Sequence, residues 1–150
     1  MDVTLKPVTA KNFGKVGQLD VAESQRGFVA SNLYSIAESK FYSSFRPRAI
    51  YGDDQPVGFL MYELVEPGHR PGECDIFRFM IDHRFQGMGL GRQAMAQVLA
   101  EIRAIEAVGR ITICYVAGNT NARAFYRSFG FLEVGKDQRS GEMVAEIRLD

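Results

Sequence analysis

Three glycines stand at alternate positions, 87, 89 and 91, in the stretch RFQGMGLGRQAM, which spans residues 84–95. The stretch lies between an apolar, strand-like run and a helix-like run. Because glycine is unfavourable inside regular structure, glycines this close together favour a backbone that a ligand approaches closely. A loop leading into a helix leaves unpaired N–H groups at the positive end of the helix dipole, and such groups bind anions. The sequence therefore predicts a phosphate-binding loop; a tight turn without a ligand is the alternative.

Two common phosphate loops fit these glycines poorly. A nucleoside-triphosphate loop ends in Gly-Lys followed by Ser or Thr, whereas Gly91 is followed by Arg92 and Gln93, which leaves no hydroxyl for Mg²⁺. The dinucleotide pattern Gly-x-Gly-x-x-Gly needs one more residue before its last glycine. No acid in a suitable context follows about 20 residues later, where that pattern would place one. Another phosphate carrier is therefore favoured.

A second stretch, NTNARAFYRSFGF at 119–131, supplies a phenol and an amide at fixed spacing. It resembles the Asn-x-x-Ala-x-x-x-Tyr-x-x-x-Gly-Phe stretch of the GNAT N-acetyltransferases. The pattern Gln86-x-x-Gly89-x-Gly91 is similar to the acetyl-coenzyme A pyrophosphate loop of the same family. Both motifs occur in the family's order, about 30 residues apart, and the order of elements extends the resemblance over nearly the whole chain.

The resemblance implies a fold and a cosubstrate. The fold is α/β (α+β), GNAT-like, with a mixed, mostly antiparallel central sheet, a central β-α-β unit and helices on both faces. The cosubstrate is acetyl-coenzyme A, with no metal. Tyr126 would lie beside the sulfur as a general acid, since a phenol with a pKa of about 10 is protonated at pH 7. The alternative for Tyr126 is an aromatic side chain packed in the core beside Phe125 and Phe129.

The same resemblance implies the cofactor contacts. The backbone of Phe79 and Ile81 would pair with the pantetheine arm, and the N–H of Phe79 or Met80 would face the thioester oxygen. The residues expected to contact coenzyme A are Phe79, Met80, Ile81, Arg84, Gln86, Gly87, Met88, Gly89, Leu90, Gly91, Arg92, Asn119, Ala122 and Phe125. Asn119 is alternatively a helix cap, and either arginine is alternatively a solvated loop charge.

The group that receives the proton of the attacking amine is open. Deprotonating an amine of pKa about 10 at pH 7 costs roughly 4 kcal/mol, so a base is expected. Glu63, in the strand-like run FLMYELV, is the candidate general base, and Asp75 is the alternative. Either is also consistent with an ordinary surface carboxylate. Cys74 has no adjacent base and Cys114 is expected in the core, so we predict direct transfer without an acetyl-enzyme.

The acceptor is expected to be a primary amine of a small molecule. Residues 21–42 and the run FRFMID resemble the bacterial spermine/spermidine and diamine acetyltransferase branch, so a polyamine is one hypothesis. The acids that could surround a cation are Asp20, Glu23, Glu38, Glu63, Glu66, Glu73 and Asp75. Arg70, Arg78 and Lys40 interleave with them, and an inward-facing Arg78 would instead favour an acceptor carboxylate. Acetylation of peptides or proteins and a non-catalytic coenzyme A-binding module remain the alternatives.

The composition of the 150-residue chain narrows the classes of partner. Lys+Arg and Asp+Glu both number 18, so a surface built for nucleic acid is not indicated. No apolar run is long enough to span a membrane and no secretory signal opens the chain, so a cytoplasmic protein is expected. The two cysteines and two histidines lack the spacing of a metal site, and reduced thiols are expected. A single domain, 1–150, is expected, and a homodimer only by analogy with the fold class.

Hydrophobic periodicity predicts the elements that must position these residues, in the order β, α, α, β, β, β, α, β, α, β, β. Strands are predicted at 3–9, 48–51, 57–65, 74–82 and 109–116, with a closing hairpin around QRSGE. Helices are predicted as two short pieces within 11–40, separated at Gly27, and at 92–107 and 119–130. EPGHRPGE is predicted to be a loop. Strand 74–82, helix 92–107 and strand 109–116 should form a right-handed parallel unit, with strand 74–82 covered on both faces.

Overall fold

The computed structural model describes residues 1–28, 30–65 and 72–149. The strands are β1 Val3–Pro7, β2 Phe45–Gly52, β3 Gln55–Leu64, β4 Glu73–Ile81, β5 Arg110–Tyr115, β6 Leu132–Lys136 and β7 Met143–Arg148. The α-helices are α1 Phe13–Gln18, α2 Asn32–Ser39, α3 Leu90–Arg103 and α4 Thr120–Arg127, with 3₁₀ helices at Glu23–Phe28 and His83–Phe85. The predicted order of strands and α-helices is confirmed.

Some predicted boundaries are wrong. Gly27 lies between two short α-helices, as predicted, but the segment that contains it forms a 3₁₀ helix that was not predicted. Helix α3 begins at Leu90, because Gly89 takes the N-cap position in a left-handed conformation and Gly91 is accommodated in the first turn. Most of the predicted loop EPGHRPGE, like Val29 of the predicted second helix, lies outside the described residues.

One mixed sheet contains all seven described strands in the order β1-β2-β3-β4-β5-β7-β6. Strands β4 and β5 pair in parallel, and each of the other neighbouring pairs is antiparallel. The predicted parallel unit, formed by β4, α3 and β5, is therefore confirmed and lies at the middle of the sheet. Parallel neighbours need a crossover, which α3 supplies.

Two hydrophobic clusters cover the two faces of the sheet. Met95, Val98 and Ile102 recur along one side of α3 and pack in the cluster that also contains Ile76 of β4. Helices α1 and α2 cover the other face, where Met80 joins the second cluster. Strand β4 thus contributes side chains to both clusters, which confirms that it is covered on both faces. This double burial fixes β4 as the reference strand for everything placed around it.

Asp82 joins the end of β4 to the segment after α1. Asp82 is only 1% exposed. Its carboxylate accepts hydrogen bonds from the backbone N–H of Asp20 (2.9 Å) and from the backbone N–H and the side-chain Nε of Arg84 (3.0 and 2.8 Å). Burial raises the pKa of Asp82, but the hydrogen bonds from Arg84 and Asp20 outweigh burial and hold it below its usual value. The carboxylate therefore stays ionised and fixes the entrance to the glycine loop.

Replacing Asp82 by Asn should lower the free energy of unfolding by about 1.5–3 kcal/mol at pH 7, because charge-assisted hydrogen bonds are lost. A carboxyl whose folded pKa is lowered stabilises the protein above the unfolded pKa of about 3.9, and this stabilisation is lost as pH falls through the folded value. Urea unfolding measures this effect. The difference in free energy of unfolding between wild type and Asp82→Asn should become smaller as the pH is lowered from about 5 to about 3. Asp54→Asn, in an exposed turn, is the control; a constant difference for Asp82→Asn would contradict the assignment.

Candidate active site

Strands β4 and β5 separate halfway along their length. Their pairing runs from Glu73–Arg110 to Ile76–Ile113 and then stops, although β4 continues to Ile81. On its other side β4 stays paired with β3 up to Ile81, but the register shifts and leaves Phe77 as an extra residue. A bulge of this kind bends the strand and increases its twist. The edge of β4 from Phe77 to Ile81 that faces β5 consequently has no strand partner, and a cleft opens there.

Two cavities meet in this cleft. The first has a volume of about 700 Å³ and is bounded by the end of β4, Gln86, the segment 116–119 and Tyr126. The second has a volume of about 420 Å³ and is bounded by 75–79 of β4, by β5 and by the turn between β6 and β7. The residues that line both cavities are Phe79, Val116, Asn119 and Tyr126. A group at this junction would be accessible from both sides.

The glycine loop presents backbone donors beside the first cavity. Gly87 and Gly89 have φ values of 80° and 77°, which other residues rarely adopt, and both face open space. No side chain caps α3 at Gly89, so the N–H groups of the first turn remain available. Gly91 lies within the helix, where an added Cβ would be 3.6 Å from Ile81, an ordinary contact. The loop thus has the features of an anion site, and its backbone requires glycine at two of the three positions.

The other residues of the loop differ in where they point. The Gln86 amide donates to the carbonyl oxygen of Ile81 (2.9 Å) and to Gln25 (3.0 Å), which links β4, the loop and the 3₁₀ segment after α1. Met88 is 51% exposed at the tip, whereas Leu90 is buried in the cluster beneath α3. Leu90 can therefore reach a ligand only through its backbone.

Both arginines predicted to meet phosphate already have protein partners. Arg84 pairs with Asp82 (Nε to carboxylate oxygen, 2.8 Å). Arg92 donates to the hydroxyl of Ser128 at 3.1 Å, and its guanidinium lies over the rings of Phe125 and Phe129. The structure thus places Arg92 as a link between α3 and α4. Both side chains are exposed near the loop, and phosphate binding by them stays a prediction.

Helix α4 brings Asn119 and Tyr126 to the cleft. The Asn119 side chain accepts a hydrogen bond from the N–H of Ala122 at 3.1 Å, so the predicted helix cap is confirmed. Ala122 lines the second cavity, and the Phe125 ring packs 6.4 Å from that of Phe79. The Tyr126 ring packs against Tyr115, so a packing role and a place in the cleft hold together. Burial raises the pKa of Tyr126 to about 12, which keeps the phenol protonated at neutral pH.

The second cavity is acidic. Asp75, Asp137 and Glu142 line it. A hydrogen bond from the Ser140 hydroxyl lowers the pKa of Asp137, which keeps this carboxylate ionised. Arg78 also lines the cavity, but it pairs with Glu38 (3.4 Å) and donates to Ser35 (3.2 Å). The charge of Arg78 is therefore largely compensated by α2, and the carboxylates dominate.

Cys114 is only half-buried and lines the acidic cavity, so the expectation that it lies in the core is wrong. Among the described residues, the cluster that α1 and α2 cover contains side chains of β2, β3 and β4 but none of β5, so these helices do not bury Cys114. Burial, together with Asp75, Glu142 and Asp137, raises the pKa of Cys114 to about 11. Cys74 is fully buried, and its pKa is raised to about 12 by burial first and by nearby carboxylates second. Both cysteines are free thiols, as predicted.

Two acids of this cavity, Asp137 and Glu142, were not among those predicted from the sequence. Asp137 precedes the stretch QRSGE and Glu142 is its last residue, and only the sheet order places this turn beside β4. Glu63 lies opposite Asp75 on β3 but lines neither cavity, and its role as base stays a prediction. Three other predicted acids pair with arginines: Asp20 with Arg26, Glu38 with Arg78, and Glu73 with Arg110. Glu23 and Lys40 are exposed, and Glu66 and Arg70 lie outside the described residues.

Comparison with known proteins agrees with this arrangement. The profile of the acetyltransferase (GNAT) family matches residues 21–131. The chain is 28% identical to a spermine/spermidine N(1)-acetyltransferase of Bacillus subtilis (strain 168), over 96% of this chain and 97% of that protein. An acetyltransferase from Thermus thermophilus superposes with a TM-score of 0.77 at 23% identity, over 99% and 98% of the two chains. The spermidine N-acetyltransferase of Vibrio cholerae, solved with CoA and spermine, gives a TM-score of 0.77 at 15% identity, over 98% and 95%.

The profile spans most of the chain, and the protein therefore belongs to the acetyltransferase (GNAT) family and is an N-acetyltransferase. The resemblance inferred from the glycine loop and from 119–131 is thereby confirmed, as is the predicted fold class. Among the residues that the structure describes, no helix is long and apolar enough to cross a membrane.

Replacing Gly89 by Glu should abolish coenzyme A binding, because it places a carboxylate at the helix terminus that we expect to hold the pyrophosphate. The check is thermal stabilisation by coenzyme A, which wild type should show and Gly89→Glu should lack. Gly141→Glu is the matched control, since Gly141 has a φ of 74° and also faces open space, outside the loop. Each variant should lose about 1–3 kcal/mol of stability through backbone strain. Equal stabilisation of Gly89→Glu and wild type by coenzyme A would refute the loop assignment.

Proposed function

We propose that the protein transfers an acetyl group from acetyl-coenzyme A directly to a primary amine of a small polycation, such as spermidine or spermine. The observation that carries the acceptor class is the acidic cavity beside Tyr126, lined by Asp75, Asp137 and Glu142. The names of the Bacillus and Vibrio proteins support the same class. The donor follows from the open strand edge and the glycine loop.

The donor side of the cleft suits coenzyme A in two ways. The unpaired edge of β4 from Phe77 to Ile81 offers backbone N–H and C=O groups that an extended chain with amides can pair with, as an added strand would. The glycine loop lies beside the same cavity and suits a pyrophosphate. An N–H of Phe79 or Met80 at the cavity junction would then donate to the oxyanion of the tetrahedral intermediate.

Tyr126 is the proposed general acid. The amine nitrogen bonds to the thioester carbon, the carbon–sulfur bond breaks, and the Tyr126 hydroxyl gives its proton to the departing sulfur. Its pKa of about 12 means that it carries this proton at every pH near neutrality. Cys114, whose pKa is raised to about 11, is a neutral thiol at the same pH and a poor nucleophile. A direct transfer through a ternary complex is therefore favoured over an acetyl-enzyme.

The route for the amine proton runs through the acidic cavity. Asp75 lines this cavity, and Glu63 lies opposite Asp75 on the neighbouring strand. We keep Glu63 as the candidate base, with Asp75 as the group that faces the substrate and passes the proton through water. The Asp75 carboxylate also accepts a hydrogen bond from the Thr112 hydroxyl at 2.7 Å, which orients it.

Removing the acidic charges should weaken binding of polyamines selectively. In the double variant Asp137→Asn/Glu142→Gln, the KM for spermidine should rise about tenfold or more, since each lost charge contact contributes about 1 kcal/mol. The KM for a monoamine of similar length should change by less than about twofold, because a monoamine has no second charge to pair with Asp137 or Glu142. Initial rates measured by release of free thiol over a panel of amines give both values. Glu106→Gln, an exposed change in the turn after α3, is the control.

The same panel separates the alternatives. Turnover of peptides without turnover of polyamines would replace the small-polycation proposal by peptide or protein acetylation. Tight coenzyme A binding without turnover of any amine, amino acid or peptide would favour the alternative of a non-catalytic coenzyme A-binding module. Equal effects of the double variant on spermidine and on the monoamine would show that the cavity acids do not recognise the acceptor.

Replacing Tyr126 by Phe should lower kcat about a hundredfold, a typical contribution of a general acid. The KM for acetyl-coenzyme A should change little, since the ring contacts remain. The activity of wild type should not fall through ionisation of Tyr126 below about pH 11, because the proton is lost only near the pKa of about 12. Steady-state kinetics against pH measure both effects, with Tyr34→Phe, an exposed tyrosine, as the control. An unchanged kcat in Tyr126→Phe would show that Tyr126 contributes only packing and is not the general acid.

A further inference from the structure

Packing of the ring, rather than a hydrogen bond, determines where the Tyr126 hydroxyl lies. No residue of α4, all of which is described, is fully buried, and the hydroxyl of Tyr126 has no hydrogen-bond partner in the described chain. The ring is held by Tyr115, Phe125 and Phe131, with centroids 5.6, 5.4 and 6.0 Å away. Since Phe125 belongs to α4 itself, Tyr115 and Phe131 are the aromatic neighbours that tie the ring to the rest of the described chain, where Tyr126 also packs against the main hydrophobic cluster.

Glu133 fixes one of these two contacts and also the helix. Tyr115, which is 8% exposed, donates its hydroxyl hydrogen to Oε1 of Glu133 at 2.7 Å. The same oxygen lies 2.8 Å from Nε of Arg123 on α4. Arg123 precedes Tyr126 by three residues, so the two side chains are neighbours on the helix surface. One carboxylate on β6 therefore holds both the ring against which Tyr126 packs and the helix that carries it.

We infer that Glu133, Tyr115 and Arg123 are positioning residues that set the location of the Tyr126 hydroxyl relative to the thioester sulfur. The inference rests on the proposed role of Tyr126 as general acid. Glu133 is not among the residues that line the two cavities, so its effect on the reaction passes through Tyr115 and α4. The hydrogen bond from Tyr115 to this carboxylate is charge-assisted and therefore stronger than a neutral one. A displacement of about 1 Å at a reacting group can cost about a hundredfold in rate.

The chain offers a matched control for this arrangement. Tyr62 is 2% exposed and donates its hydroxyl hydrogen to Glu101 on α3, as Tyr115 does to Glu133. Tyr62 lines neither cavity of the cleft. Tyr62→Phe and Tyr115→Phe therefore remove the same kind of buried hydrogen bond, one remote from Tyr126 and the other in contact with its ring.

The first test compares kinetics and stability of these variants. Tyr115→Phe and Glu133→Gln should each lower kcat about tenfold, by displacing Tyr126, with both KM values within about twofold of wild type. Tyr62→Phe should lower the thermal midpoint at least as much as Tyr115→Phe and leave kcat unchanged. A wild-type kcat in both Tyr115→Phe and Glu133→Gln would overturn the inference, as would an equal loss of kcat in Tyr62→Phe.

The second test combines variants. If Tyr115 acts through Tyr126, adding Tyr115→Phe to Tyr126→Phe should lower the residual kcat by less than about twofold. A further tenfold loss in the double variant would show that Tyr115 acts independently and would overturn the inference. The two proposals also fail separately. An active Tyr126→Phe would exclude Tyr126 as the general acid. An inactive Tyr126→Phe, together with fully active Tyr115→Phe and Glu133→Gln, would exclude only the positioning role.

Discussion

The end of the backbone pairing between β4 and β5 is the constraint on which the site depends. Unpaired backbone groups inside a protein are costly, so a sheet does not part at its centre without something to satisfy them. Here the parting coincides with the extra residue Phe77 in β4, while β3 continues to hold the strand up to Ile81. The bulge thus supplies both the bend that opens the cleft and the exposed edge that an amide-bearing donor can pair with.

Helix α4 has to reach this opening without filling it. A helix buried as deeply as α3 would place large side chains between β4 and β5 and close the junction of the two cavities. The structure instead holds α4 from its sides, through Arg92 with Ser128 at one end and Arg123 with Glu133 near the other. These directed contacts add to the partial burial of the apolar side chains of α4 against the main cluster, and they leave Tyr126 at the boundary of both cavities.

The sequence predicts local features of this site well and distant ones poorly. The loop that leads into α3, the Asn119 cap and the order of elements follow from patterns within a few residues, and the structure confirms them; phosphate binding by the loop stays a prediction. Asp137 and Glu142 escaped prediction because β7 inserts between β5 and β6, which brings their turn beside β4. The partners of Arg84 and Arg92 escaped for a related reason, since a charged side chain near a loop reveals no partner until the chain is folded.

The bulge also accounts for the negative charge of the acidic cavity. Side chains alternate between the faces of a regular strand, but the extra residue places Phe77 and Arg78 both toward α1 and α2. Without it, Arg78 would point into the cluster beneath α3, where an unpaired charge is costly. On the other face it reaches Glu38, so its charge is compensated by a residue outside the cavity. The carboxylates of Asp75, Asp137 and Glu142 are then left to dominate a cavity in a chain whose formal net charge is zero.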